Sequence, residues 1–124
     1  MPGTRTLPKR SDFLAAARHG EKLVAPSMIM QIRDRHDDAP PRLGFTASRK
    51  VGNAVMRNRA RRRMRAAASQ CLDPRARRGH DYVLIARHNT ATRDWPRLLS
   101  DLEKMLGAYE EGAVKELAHE KNRQ

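Results

Sequence analysis

Between Asp38 and Asp73 this 124-residue chain carries nine basic side chains and no acidic one: Arg42, Arg49, Lys50, Arg57, Arg59, Arg61, Arg62, Arg63 and Arg65. The formal net charge is +12, so the rest of the chain nets only +3. From Ala91 onward six bases meet seven acids. Twenty of the 26 basic residues are arginine, whose planar fork of N–H donors matches a phosphate two bonds at a time. A field of one sign concentrated in one segment calls for a polyanion. Nucleic acid is the foremost partner of that kind, and an anionic membrane surface is the competitor.

The arginines are also ordered. At 100° per residue a helix over 54–72 places Met56, Ala60, Met64, Ala67 and Cys71 in one narrow apolar sector. Arg57, Arg61 and Arg65 then run along one flank, Asn58 and Arg62 face away from the core, and Arg59 and Arg63 take the other flank. Like charges four residues apart repel by a few tenths of a kcal/mol per pair, about 0.2–0.5. No acid within the helix relieves them, so an anionic partner must. Asn53 is the expected N-cap, and the free N–H groups there favour an anion as well.

Other chemistry finds little support. The five histidines, His19, His36, His80, His88 and His119, form no pair at metal-ligand spacing. Asp37-Asp38 falls in a proline-rich turn. Ser48 has no nucleophile motif around it. A single cysteine, Cys71, excludes an internal disulfide, and its place on the apolar stripe marks it as buried. No apolar run reaches the ~18–20 residues of a membrane span, and no secretory h-region opens the chain. These features lead to an expectation of a soluble, cytoplasmic protein with no catalytic residue of its own.

The elements that must hold the basic helix follow from periodicity and punctuation. Residues 1–8, with Pro2, Gly3 and Pro8, read as a flexible arm. Ser11 is placed as the N-cap of a short helix that carries Phe13, Leu14, Ala16 and Ala17 and closes at Gly20. Residues 23–33 alternate as a strand interrupted at Pro26. The turn 34–42 leads to 42–48, read as the second strand of a hairpin with it. After the basic helix, Pro74 and Gly79 open a turn into 80–87 (HDYVLIAR), whose apolar middle implies cover on both faces. Asp94 caps a last helix from Trp95 to Gly107, and 108–124 read as a charged tail. The expectation is one α/β (α+β) two-layer sandwich over 1–124, a small mixed sheet of about four strands with three helices, in the order α-β-β-β-α-β-α.

Residues 43–65, LGFTASRKVGNAVMRNRARRRMR, resemble the signature of the bacterial ribonuclease P protein subunit. That family shows a Ser-(Lys/Arg)-Lys step, a Val/Ile-Gly-Asn-Ala-Val segment, an Arg-Asn-Arg core and further bases. Here they are Ser48-Arg49-Lys50, Val51 to Val55, Arg57-Asn58-Arg59 and Arg61-Arg62-Arg63. Lys9-Arg10, Asp12-Phe13, Gly20 and residues 80–87 extend the likeness over roughly 7–106.

The resemblance implies a monomeric partner of a catalytic RNA that removes the 5′ leader of precursor tRNA, with Mg²⁺ bound mainly by the RNA and hydrolysis performed there. It implies a left-handed crossover around the basic helix. It assigns RNA contact to Arg49, Lys50, Asn53, Arg57, Asn58, Arg59, Arg61, Arg62 and Arg65. A cleft beside the first helix would hold the leader, with Phe13, Arg18, Gln31 and Phe45 as its candidates. Two positions where members often carry aromatics are Ala17 and Gln31 here, so fewer rings are available to stack on bases. A ribosomal or ribosome-assembly RNA-binding protein shares the composition, and the ordered motif is what separates the two readings.

Overall fold

The computed structural model describes residues 4–122, with side chains through Gly112. The elements in chain order are β1 (Arg5–Thr6), α1 (Arg10–His19), β2 (Glu21–Val24), β3 (Met28–Asp34), β4 (Arg42–Thr46), α2 (Ala54–Ala67), β5 (His80–Ala86) and α3 (Trp95–Asn122). A 3₁₀ turn, Arg49–Val51, precedes α2, and a π-helical turn, Ala68–Leu72, continues it. The five strands form one sheet in the order β1-β4-β5-β3-β2. The sandwich and its three helices are as expected, with one strand more.

That strand lies in the segment expected to be an arm. Arg5 and Thr6 run parallel to Arg42 and Leu43. The amides of Arg5 and Leu7 donate to the carbonyls of Pro41 (2.8 Å) and Leu43 (2.9 Å), and Leu7 is buried. Burial of one leucine, with two backbone bonds on the sheet edge, holds residues 5–7, while residues 1–3 of the expected arm lie outside the described residues. The first helix begins at Arg10, with Lys9 rather than Ser11 at its cap position. The strand broken at Pro26 is an antiparallel hairpin, β2 to β3, turning through Ala25–Ser27.

β3 and β4 do not pair. β5 lies between them, antiparallel to β3 and parallel to β4, with Gln31 opposite Val83 and Gly44 opposite Val83 on the other side. The apolar run of β5 explains this: it is the strand able to be covered on both faces, so it takes the centre. Tyr82, Leu84 and Ala86 join Met28, Met30, Ile32 and Leu43 in the core beneath α2 and α3. Val83 and Ile85 point the other way, into a smaller cluster with Leu7, Ala16 and Phe13 of the α1 side. Helices therefore cover both faces.

The hand of the β4–α2–β5 crossover follows from Leu43. Its side chain enters the α2/α3 core, while its carbonyl accepts from Leu7, the residue directly after β1. For an L-residue seen side chain forward with the strand running up, N–H and C=O point right. So β1 is to the right of β4, β5 to the left, and the chain passes leftward in front of the sheet. The connection is left-handed, against the right-handed rule for parallel strands.

The α1-side end of the sheet holds a buried charge. Asp81 is fully buried and accepts from Arg42 Nε and one terminal nitrogen, both at 2.8 Å, and from Arg35, with Arg33 3.8 Å away. Arg42 also reaches Asp12 of α1 at 3.2 Å. Burial alone would push the Asp81 carboxyl up, but the bonds from Arg42 and Arg35 outweigh it and hold the group below the ordinary aspartate value. The turn before β5 closes over this end. Gly79 takes φ +76°, and a Cβ there would sit 2.2 Å from the carbonyl oxygen of Asp37, so no side chain fits.

The last helix does not stop at Gly107. It continues to Asn122, because Tyr109 packs against the core under the Arg77 guanidinium and Glu110 pairs with Arg75 at 2.7 Å. These contacts outweigh the ~1 kcal/mol an interior glycine costs a helix.

Candidate nucleic-acid interface

The basic face is set by what lies beneath it. Val51 is buried and anchors the 3₁₀ turn, leaving Arg49 and Lys50 exposed. Gly52 follows at φ +145°, and the Asn53 Oδ1 then accepts from the Met56 amide at 3.0 Å, the N-cap expected. Ala60, Met64 and Ala67 are 0% exposed. With that stripe fixed against the sheet, Asn53, Asn58, Arg59, Arg62 and Arg65 are exposed, and Arg57 and Arg61 are half-buried. The wheel drawn from the sequence thus describes the helix as it folds.

Two of these arginines are held in place. Arg61 donates to Asn58 Oδ1 at 3.2 Å and to the Ala47 carbonyl at 3.3 Å. Arg65 stacks over the Phe45 ring, 5.7 Å from its centroid. Together with Val55, Asn58 and Arg62 they line an open groove of about 700 Å³. No carboxylate lines it, so its field is uncompensated. Val55, 67% exposed, gives the groove an apolar floor beside its donors.

Arg63 belongs elsewhere. Its guanidinium donates to the carbonyls of Thr90 (2.7 Å) and Arg93 and lies over the Trp95 ring at 5.7 Å. It ties α2 to the loop that launches α3. That loop is built on buried polar groups. Thr90 Oγ1 accepts from the Arg87 amide at 2.7 Å and donates to the Ser27 carbonyl. The Ser27 hydroxyl donates to Asp101 at 2.6 Å, and Asp101 pairs with Arg93 at 2.7 Å. Replacing Arg63 by Met should therefore destabilise the fold by about 1–3 kcal/mol, through two carbonyls left without a donor. It should leave RNA affinity per folded molecule nearly unchanged, whereas Arg62→Ala should do the reverse. Chemical denaturation read beside RNA titration separates the two.

The cleft residues divide. Phe13 packs on Gly44 so closely that a Cβ on that glycine would lie 2.5 Å from the ring, and only glycine lets the ring reach the sheet. Gln31 lies on the same face of the sheet, as its pairing opposite Val83 requires, and Arg18 is exposed on the last turn of α1. Phe45 is not part of this surface. It is two residues from Leu43 on β4 and packs with the α2/α3 core. The sheet itself separates Phe45 from Phe13, because alternate residues of β4 face opposite sides.

Known proteins resemble this chain in sequence and fold. The family model described as Ribonuclease P matches residues 1–110. A curated protein of Caulobacter vibrioides, "Ribonuclease P protein component", is 52% identical over 101 residues, covering 81% of this chain and 67% of that protein. One of the same name from Ruegeria pomeroyi is 50% identical over 107 residues, 84% of this chain and 85% of that protein. Among solved structures, the RNase P protein from Thermotoga maritima superposes with a TM-score of 0.69 at 26% identity, covering 82% of this chain and 94% of that one.

Proposed function

The chain belongs to the ribonuclease P protein family, and we propose that it works as the RNA-binding subunit of a ribonuclease P, gripping a catalytic RNA with α2 and the 5′ leader of precursor tRNA with the cleft beside α1. The family places it in tRNA processing. The observation that carries the finer reading is the uncompensated groove on α2: Asn58, Arg61, Arg62 and Arg65 point outward from a helix whose other side is locked in the core. Arg49, Lys50, Asn53, Arg57 and Arg59 extend the same surface around the start of the helix. Its part in the reaction is positional and electrostatic. Arg61 and Arg65 are already held by Asn58, Ala47 and Phe45, so phosphates meet them without ordering those long side chains first.

The leader site takes Phe13 as its one ring, with Gln31 beside it and Arg18, Lys9 and Arg10 exposed at the two ends of α1. With Ala17 and Gln31 in place of aromatics, leader binding rests more on charge than on stacking. Hydrolysis is assigned to the RNA and its Mg²⁺ ions. Among the described residues no three His, Cys, Asp or Glu side chains converge. No helix among them is long and apolar enough to cross a membrane. A cytoplasmic monomer is the form proposed.

A cleavage assay tests the reading. Added to a bacterial ribonuclease P RNA at low Mg²⁺, the protein should accelerate removal of the 5′ leader from precursor tRNA. Its affinity for that RNA should fall linearly in log–log terms with salt, by about 0.7–0.9 per phosphate contact. Cleavage by the protein alone, or a flat salt response, would overturn the assignment.

A further inference from the structure

Phe45 and Arg65 form one wall of a second concavity, of about 210 Å³, between β1 and the end of α2. Thr4, with Arg5 and Thr6 of β1, forms the opposite wall, and Ser69 and Asp73 line its α2 side. It lies on the face of the sheet away from Phe13. Its size is below that of pockets for drug-sized ligands, ~300–1,000 Å³, and its lining mixes a ring, two guanidiniums, three hydroxyls and one carboxylate.

Arg65 lines this pocket and the arginine groove alike. A strand whose phosphates follow the groove past Arg62 and Arg61 would bring its next nucleotide to Arg65, where the groove opens onto Phe45. A guanidinium stacked on a ring is a flat platform of the kind on which unpaired bases rest. Arg5, exposed at the rim, stands where the following phosphate would leave.

We infer that this pocket holds a single unpaired nucleobase of the bound RNA, stacked on the Arg65–Phe45 platform and read by Asp73 at its edge. The inference rests on the reading of α2 as the RNA-binding face and adds to it a site with base preference. Asp73 decides the preference. Burial pushes its carboxyl up from the ordinary value while the Thr4 hydroxyl bonds it. In its ionised form the oxygens accept only, so a base that shows adjacent N–H donors, as guanine does, is favoured. Uracil, whose single N–H lies between two carbonyls, is disfavoured.

Labelled RNA pentamers UUGUU and UUUUU, titrated against the full chain at about 50 mM salt by fluorescence anisotropy, test it. UUGUU should bind about fivefold or more tightly than UUUUU, the lower end for a bidentate base contact. Asp73→Asn should bring that ratio close to one and leave UUUUU binding no weaker. Phe45→Leu, which keeps an apolar side chain under Arg65, should weaken UUGUU by about fivefold or more through loss of the stack. Equal affinity for the two pentamers, or a ratio that persists in Asp73→Asn, overturns the pocket and leaves the basic face standing. Failure of the chain to bind either pentamer removes both.

Discussion

Alanine at Arg57, Asn58 and Arg59 together should weaken binding to a bacterial ribonuclease P RNA by about 10- to 100-fold while leaving the far-ultraviolet circular dichroism unchanged. Each charge-assisted bond to phosphate is worth about 1.5–3 kcal/mol, and the upper bound allows for two such contacts partly replaced by neighbouring arginines. The helix itself should survive. Asn58 and Arg59 are exposed and Arg57 is half-buried, alanine is the strongest helix former, and the core stripe of Ala60, Met64 and Ala67 is untouched. The salt slope should also become shallower by about 0.7–0.9 for each lost contact. An unfolded triple variant would mean that the Arg-Asn-Arg segment serves the fold. A folded variant with unchanged affinity would mean that the RNA lies elsewhere.

Asp81→Asn should cost the fold about 3 kcal/mol, at the lower end for breaking a buried ion pair, because Arg33 and Arg42 retain some exposure to water. The variant leaves Arg35 and Arg42 facing an amide that can accept from one of them and repels the other. The pH dependence has a definite sign. The folded-state carboxyl is held below its ordinary value, so its stabilisation is fully present above the ordinary aspartate pKa of about 3.9 and is lost as the pH falls through the lowered one. Urea midpoints of the native protein should therefore drop steeply below about pH 4. Those of Asp81→Asn should start lower and fall less. Parallel curves for the two proteins would mean that Asp81 does not set the acid limit.

The basic helix was legible in the sequence because everything that defines it is local. Asn53 caps it three residues before Met56, and the apolar stripe repeats at helical spacing from Met56 to Cys71. What sequence periodicity cannot show is which surfaces meet. Alternation along 42–48 separates Leu43 and Phe45 from Gly44 and Thr46, yet it is the contact of Gly44 with Phe13 that decides which pair faces α1. For that reason sequence reasoning alone groups Phe45 with the cleft beside α1, whereas the fold packs it against the α2/α3 core. The same limit applies to Arg63. A wheel places it on a flank, and only the fold brings that flank against Thr90 and Trp95. The adjacency of β3 and β4 failed for a related reason. A polar turn between two strands reads as a hairpin, but the strand able to lie at the centre was still to come. β1 is two residues long, too short for any pattern, and depends on Leu7 finding the core.

The central place of β5 also bears on how the polypeptide emerges from the ribosome. Neither β3 nor β4 has its main neighbour until His80 to Ala86 has been synthesised. At about 5–20 residues per second, the sheet stays open for the seconds needed to add the stretch after Thr46. That stretch opens with the acid-free run that lasts to Leu72, so the nascent chain presents its densest positive charge while its strand edges are bare. Mutual repulsion between neighbouring nascent chains then guards those edges against intermolecular pairing until translation delivers the missing strand.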